Sequence, residues 1–116
     1  MPGEVRLRDV LSMGRLERIV MEYFIKNISV GEIIALIELR EEVKRRASRG
    51  ERDLVPELDD VVIEREVSRV ISRLITAGYL EYKGGVYNLS KPLIEELKKK
   101  LGRLDPGIPK NIESLA

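Results

Sequence analysis

The chain contains no cysteine and no histidine among its 116 residues. The absence of cysteine excludes disulfides, thiolate nucleophiles and the sulfur-rich zinc sites of some nucleic-acid-binding modules. The absence of histidine removes the commonest general base and a common metal ligand. An enzyme would have to use carboxylates, lysine or tyrosine alone, and the sequence shows no such constellation. We therefore expect a non-enzymatic protein with no cofactor and no metal site.

Long apolar runs are also missing. No segment approaches the ~18 consecutive apolar residues of a membrane-spanning helix, and the N-terminus lacks the apolar block of a signal peptide. We expect a cytoplasmic protein that does not contact a membrane. Tryptophan and glutamine are absent while charged residues make up 35% of the chain, a bias found in hyperthermophile proteins, archaeal ones among them.

The length predicts one small domain with a single core. We place the domain at 13–102, after an N-terminal arm or lead-in at 1–12. Residues 103–116 contain two prolines and no helical periodicity, which predicts a flexible tail with a few apolar anchor points. The formal net charge is only +1, so any surface that binds nucleic acid must be a local patch.

Two amphipathic helices are predicted in the first half of the chain. Apolar residues keep helical spacing over 14–26, which indicates the first helix. Ser29 followed by Glu32 matches a capping box that would begin the second helix. We expect the following apolar residues to mark its inner face: Ile33, Ile34, Leu36, Ile37 and Val43. The charged stretch after Val43 could bind phosphates, but its interleaved acids favour a solvated helix end with local ion pairs.

A third helix, predicted around 63–77, has two contrasting faces. Its apolar face consists of Ile63, Val67, Val70, Ile71 and Leu74. Its opposite face, the arginine stripe, consists of Arg65, Ser68, Arg69, Ser72, Arg73 and Thr76. Because the arginine stripe has no carboxylate, and arginine binds phosphates and guanine edges, it indicates a nucleic-acid surface. The alternative is a helix face that is polar because water covers it.

A β-hairpin is predicted at 79–89, directly after Gly78 ends this helix. Gly84 and Gly85 suit a two-residue turn because both can take positive φ. The resulting register pairs Leu80 with Leu89 and Tyr82 with Tyr87. The tyrosines are therefore expected to pack across the strands and not to stack on bases. Lys83, beside the turn, could contact a phosphate or keep the sheet edge soluble.

Residues 67–90, VSRVISRLITAGYLEYKGGVYNLS, resemble the recognition helix and wing of the winged helix-turn-helix family. The family's leucine-x-x-x-glycine-tyrosine-leucine signature falls here on Leu74, Gly78, Tyr79 and Leu80. The resemblance implies a mainly α fold with a small β-hairpin wing (α+β). A three-helix core would carry the wing and an added C-terminal helix, and Ile28 would lie where a short strand joins the wing.

The same resemblance implies a protein that binds double-stranded DNA, a transcriptional regulator, with helix 63–77 in the major groove. Arg69 and Arg73 would contact guanine, each contributing ~1–3 kcal/mol of discrimination. The hydroxyls of the arginine stripe would bind phosphates, and Lys83 would touch the flanking backbone.

One departure from the family pattern favours a second interpretation. The connection 50–60 is longer than the ~3–4-residue turn of a compact helix-turn-helix, and Asp59 or Asp60 would cap the third helix where acids repel phosphates. With the near-neutral net charge, this fits a winged-helix interaction module that binds a protein partner. Such a module would be a small subunit of a replication, transcription or repair complex.

A C-terminal helix is predicted to begin near Ser90, as its N-cap, and to end at Gly102. Its narrow apolar stripe consists of Leu93, Ile94, Leu97 and Leu101. This stripe could pack on the domain's own core or against a second copy. In winged-helix proteins a helix at this place often forms a dimer contact, so the resemblance favours a homodimer.

Overall fold

The computed structural model describes residues 4–115. The protein is mainly helical with a small three-stranded antiparallel sheet, which confirms the predicted α+β class. The helices and strands are α1 (Arg15–Asn27), β1 (Ser29–Gly31), α2 (Glu32–Ser48), α3 (Asp60–Thr76), β2 (Leu80–Lys83), β3 (Val86–Leu89), α4 (Lys91–Leu101) and α5 (Ile112–Leu115). Short 3-10 helices occupy Leu7–Ser12 and Arg52–Leu54. Residues 1–3 of the predicted arm and residue 116 of the predicted tail lie outside the described residues.

The core forms between α1, α2, α3 and the sheet. The five apolar residues predicted on the inner face of α3 are all buried. Phe24 of α1 is fully buried and makes edge-to-face contacts with the rings of Tyr23 (5.1 Å between centroids) and Tyr87 (6.0 Å). The contact with Tyr87 joins β3 to α1 in an arrangement that aromatic pairs prefer.

The hairpin has the predicted register. Leu80 pairs with Leu89 and Tyr82 with Tyr87, and the turn residues Gly84 (φ 58°) and Gly85 (φ 79°) both have positive φ. The sheet order is β1-β3-β2, so β3 is the central strand. Positive φ at both turn residues matches the twist of a two-residue hairpin.

The junction between α1 and α2 differs from the prediction. Ser29 lies in β1 opposite Asn88, and Gly31 is the N-cap of α2, so the predicted capping box is wrong. Ile28 ends α1 with a positive φ of 68°, and its carbonyl accepts from the Leu89 amide (2.8 Å). Pairing with β3 satisfies these backbone groups, and this long-range contact outweighs the local capping pattern.

The inner face of α2 also differs from the prediction. The buried residues follow a four-residue spacing: Ala35, Leu39, Val43 and Ala47. Of the residues expected inside, Val43 is buried and Leu36 partly buried, whereas Ile33, Ile34 and Ile37 are exposed. Two of the four buried residues are alanines, so α2 places small side chains against the core.

Helix α3 begins at Asp60, before the range 63–77 predicted from its apolar spacing, and the predicted cap at Asp59 or Asp60 is confirmed. The Asp59 carboxylate accepts hydrogen bonds from the amides of Val61 (2.9 Å) and Val62 (3.1 Å), so Asp59 is the N-cap. The connection before it is long, as expected, and it is anchored because Leu54 and Val55 are buried. The chain therefore enters α3 from a packed loop.

Both terminal segments contact the domain. Leu7 and Val10 are fully buried, and the Tyr79 hydroxyl donates to Asp9 (2.9 Å). The sequence predicted no regular structure after Gly102, but α5 packs its buried residues Ile112 and Leu115 near the first 3-10 helix. This pairing joins opposite ends of the chain, so local periodicity could not indicate it. The mobility of the tail stays a prediction.

Helix α4 packs on the domain's own core. Leu93 and Leu97 are fully buried within the chain, whereas Leu101 is exposed. Gly102, with φ 79°, ends the helix as predicted. The two leucines at the centre of the apolar stripe of α4 are therefore already covered by the same chain. A homodimer that forms through α4 stays a prediction.

Candidate interaction surfaces

The arginine stripe lies along the outer side of α3. Arg65, Arg69, Ser72, Arg73 and Thr76 are exposed and Ser68 is partly buried. All but Thr76 border a shallow surface depression of about 400 Å³. The structure therefore brings the predicted residues together on one face of the helix. Lys83 is also exposed, on β2 opposite Val86.

A carboxylate that the sequence analysis did not count lies beside the arginine stripe. Glu66 Oε2 is 3.3 Å from Arg69 Nη1 and 4.0 Å from Arg65 Nε. Glu66 precedes Arg69 by three residues, a spacing that places the two side chains next to each other on a helix. It offsets part of the positive charge at this end of the stripe. Arg73 makes no ion pair within residues 4–115, so the charge of the stripe is strongest towards its C-terminal end.

Other acids of α3 pair with α2. Glu64 contacts Arg40 (2.6 Å) and Asp60 contacts Lys44 (3.1 Å). The pairing order shows that the two helices run antiparallel. The hydrogen bond to Glu64, as the largest cause, and the hydrogen bond to Glu41 raise the pKa of the Arg40 guanidinium. Of the two acids expected to repel phosphates, Asp60 is partly neutralised by Lys44, whereas Asp59 caps α3.

A second surface lies at the start of α2, and the sequence analysis missed it. Ile33, Ile34 and Ile37 are 73%, 57% and 46% exposed. Residues three and four apart are neighbours on a helix surface, so Ile37 lies beside both of the others. We call these three residues the isoleucine patch. The sequence did contain a signal for this exposure, because α2 has a second apolar face that could be buried instead: Ala35, Leu39, Val43 and Ala47.

Two glutamates, Glu32 and Glu38, flank the isoleucine patch in the sequence. The Tyr23 hydroxyl makes a short hydrogen bond to Glu38. Burial first, and then this bond, raises the pKa of Tyr23 well above its usual value. A hydrogen bond to the Glu32 side chain is the largest cause of the raised pKa of Tyr82. Neither glutamate makes an ion pair within residues 4–115.

The patch borders the hairpin tip and an open groove. The Glu32 amide donates to the Gly85 carbonyl (2.9 Å), which ties the first turn of α2 to the hairpin turn. A groove of about 500 Å³ runs between α1 and α2, and Ile19, Tyr23 and Ile37 line it together with charged side chains. The isoleucine patch therefore continues into a concave surface.

Comparison with known protein families identifies the chain. A family model described as PolB1 Binding Protein 2 matches residues 14–95, more than two thirds of the sequence. The chain belongs to the PolB1 Binding Protein 2 family. The region shared with the PolB1 Binding Protein 2 family runs from α1 into α4, so it includes both the arginine stripe and the isoleucine patch. Neither the curated proteins nor the solved structures gave a match.

Residues 4–115 contain no group of three or more carboxylates arranged to hold a metal ion. None of the helices in this range is both long enough and apolar enough to cross a membrane.

Proposed function

We propose that this chain is a small, non-enzymatic subunit that binds the polymerase PolB1 within a replication complex. The family match over residues 14–95 carries the proposal. The exposed isoleucine patch supports it, because contiguous exposed apolar side chains mark protein interaction sites. A net charge of +1 also fits a protein partner better than a nucleic-acid partner.

We further propose that the domain is a winged helix. Three helices with a short strand after the first, followed by a hairpin, give the element order expected from the resemblance of residues 67–90. Strand β1 pairs with β3, next to the position where Ile28 was expected to join the wing. On this proposal α3 is the recognition helix and the β2–β3 hairpin is the wing.

Binding to PolB1 is tested directly with the two purified proteins. We expect a stable complex that co-elutes in size-exclusion chromatography, with a stoichiometry measured by light scattering and an affinity measured by titration calorimetry. A Kd in the micromolar range or tighter corresponds to about 8 kcal/mol or more of binding free energy. Absence of co-elution and of binding heat at tens of micromolar would overturn the proposal.

A second candidate function is binding of double-stranded DNA through the arginine stripe, as in a transcriptional regulator. The observation that favours it is the exposed face of α3, where Arg69 and Arg73 lie at mid-stripe and Arg73 has no ion pair within residues 4–115. On this proposal Arg69 and Arg73 contact guanine, the hydroxyls bind phosphates and Lys83 contacts the flanking backbone.

The test is fluorescence anisotropy with random-sequence duplex DNA over a salt series. Phosphate contacts give a negative slope of log affinity on log salt, and Arg69→Ala with Arg73→Ala should reduce both affinity and slope. Arg49→Ala with Arg52→Ala is the matched control, because both residues are exposed and the charge change is identical. Equal losses in the two variants would refute the assignment to the arginine stripe.

A further inference from the structure

The isoleucine patch is an apolar surface that the fold does not use. The inner face of α2 is formed by other residues, of which Ala35, Leu39 and Val43 are fully buried. Ile33, Ile34 and Ile37 therefore contribute little to the core. A β-branched residue also gains nothing in an exposed helix, where alanine has the higher propensity. Neither stability nor helix formation accounts for three isoleucines at these positions.

The negative charge beside the patch is not neutralised by an ion pair within residues 4–115. Glu32 and Glu38 lie on either side of the isoleucines in the sequence, and the Tyr23 hydroxyl donates to Glu38. A hydroxyl is a neutral donor, so it orients a carboxylate without cancelling its charge. The nearest cation along α2, Arg40, is already engaged by Glu41 and Glu64.

We propose that the isoleucine patch is the surface that docks PolB1, and that it receives a segment with apolar side chains flanked by lysine or arginine. This inference rests on the proposed function and names the surface that performs it. The isoleucines supply the apolar contact, and Glu32 and Glu38 supply the charges that a basic rim would complement. The groove between α1 and α2 gives the partner a concave edge next to Ile37.

The charges also argue against two other occupants. DNA is disfavoured because Glu32 and Glu38 would face its phosphates. A second copy of the chain is disfavoured because a two-fold symmetric contact brings the same surface to itself. The glutamates of one copy would then lie close to those of the other, and like charges at an interface oppose association.

The first experiment truncates the apolar contact. Ile33→Ala with Ile37→Ala should weaken PolB1 binding about 10- to 100-fold, the range for two central interface residues. Leu58→Ala with Val61→Ala is the matched control, because both residues are exposed and lie in another part of the surface. The control should bind like the unaltered chain. Thermal unfolding of both variants checks that the fold is intact.

The second experiment removes the flanking charges. Glu32→Gln with Glu38→Gln should slow association with PolB1 and reduce the salt dependence of binding. Glu57→Gln with Glu95→Gln changes the charge equally at exposed positions elsewhere and should leave both unchanged. Equal salt dependence in the unaltered chain and the Glu32/Glu38 variant would overturn the proposal that lysine or arginine of PolB1 contacts Glu32 and Glu38.

The outcomes separate this inference from the proposed function. If the unaltered chain binds PolB1 and the Ile33/Ile37 variant binds equally well, the docking surface is wrong while the proposed function stands. If the unaltered chain does not bind PolB1, the proposed function fails first. If the chain sediments as a dimer and the Ile33/Ile37 variant as a monomer, the occupant is a second copy and the inference is overturned.

Discussion

Helices α3 and α4 both begin after a residue type that favours the N-cap position, but of these two only α3 is capped by the side chain. At α3 the Asp59 carboxylate accepts from two amides, those of Val61 (2.9 Å) and Val62 (3.1 Å). At α4 Ser90 occupies the N-cap position without a side-chain cap. Its hydroxyl is buried and has no hydrogen-bond partner among residues 4–115. Substitution by alanine should therefore destabilise the fold at Asp59 but not at Ser90.

The expected free energies follow from these contacts. Asp59→Ala leaves two amides of the first turn without their acceptor and removes a negative charge at the positive end of the helix dipole. Loss of an N-cap costs about 0.5–2 kcal/mol, and the dipole contribution is about 0.3–1 kcal/mol. Ser90→Ala removes a buried hydroxyl that has no partner, so it should be neutral or stabilising by up to about 1 kcal/mol.

Thermal unfolding followed by circular dichroism measures both changes. At about 2.1 cal/mol/K per residue, a chain of 116 residues unfolds with an entropy near 0.24 kcal/mol/K. A loss of about 1 kcal/mol then lowers Tm by about 4 °C. We expect such a fall for Asp59→Ala, a smaller one for Asp59→Asn, which retains an acceptor oxygen, and none for Ser90→Ala. A comparable fall for Ser90→Ala would refute the reasoning, because its hydroxyl would then be capping α4.

Three further predictions concern the terminal segments and the end of α3. Burial, and then the hydrogen bond to Asp9, raises the pKa of Tyr79 from 10.0 to about 12. Folding thus favours the neutral phenol. Its contribution to the free energy of unfolding is complete below pH 10 and is lost as the pH rises through about 12. Tyr79→Phe should flatten that decline in urea unfolding and cost about 1 kcal/mol at neutral pH. Lys110→Met removes three hydrogen bonds from the ammonium to backbone carbonyls, and it should lower hydrogen-exchange protection in α5 with little change in Tm. Gly78→Ala places a side chain at φ 92°, and it should cost about 1–2 kcal/mol in chemical unfolding.

The elements that the sequence predicted well are those with local signals. The apolar spacing of α3 and the Gly84–Gly85 turn each depend on residues close together in the chain. A two-residue turn between alternating strands leaves one register, so the pairing of Leu80 with Leu89 followed directly. Local signals of this kind need no knowledge of the remaining chain.

The elements predicted incorrectly depend on distant contacts. Ser29 has the sequence context of a cap, but it pairs with Asn88, 59 positions away. Helix α2 carries two apolar faces, and only the helices packed against it decide which one is buried. The apolar pattern predicted that the isoleucines are buried, because isoleucine is more apolar than alanine. In the structure Ala35 and Ala47 are buried instead.

The candidate surfaces were predictable to different degrees. The arginine stripe required only helical spacing, and the structure places its six residues on the outer side of α3. The ion pairs of Glu66 with this stripe depend on side-chain conformations that spacing alone does not give. The isoleucine patch could not be identified, because its exposure depends on the orientation of α2 in the fold.

The two surfaces have chemistry that suits different partners. The arginine stripe is polar and cationic, and its Arg73 makes no ion pair in the described range 4–115, whereas the isoleucine patch is apolar and flanked by Glu32 and Glu38. A phosphate backbone complements the first and is repelled by the second. A basic, apolar protein surface complements the second and is repelled by the first. Because the two surfaces belong to separate helices within the region shared by the family, binding at one does not require the residues of the other.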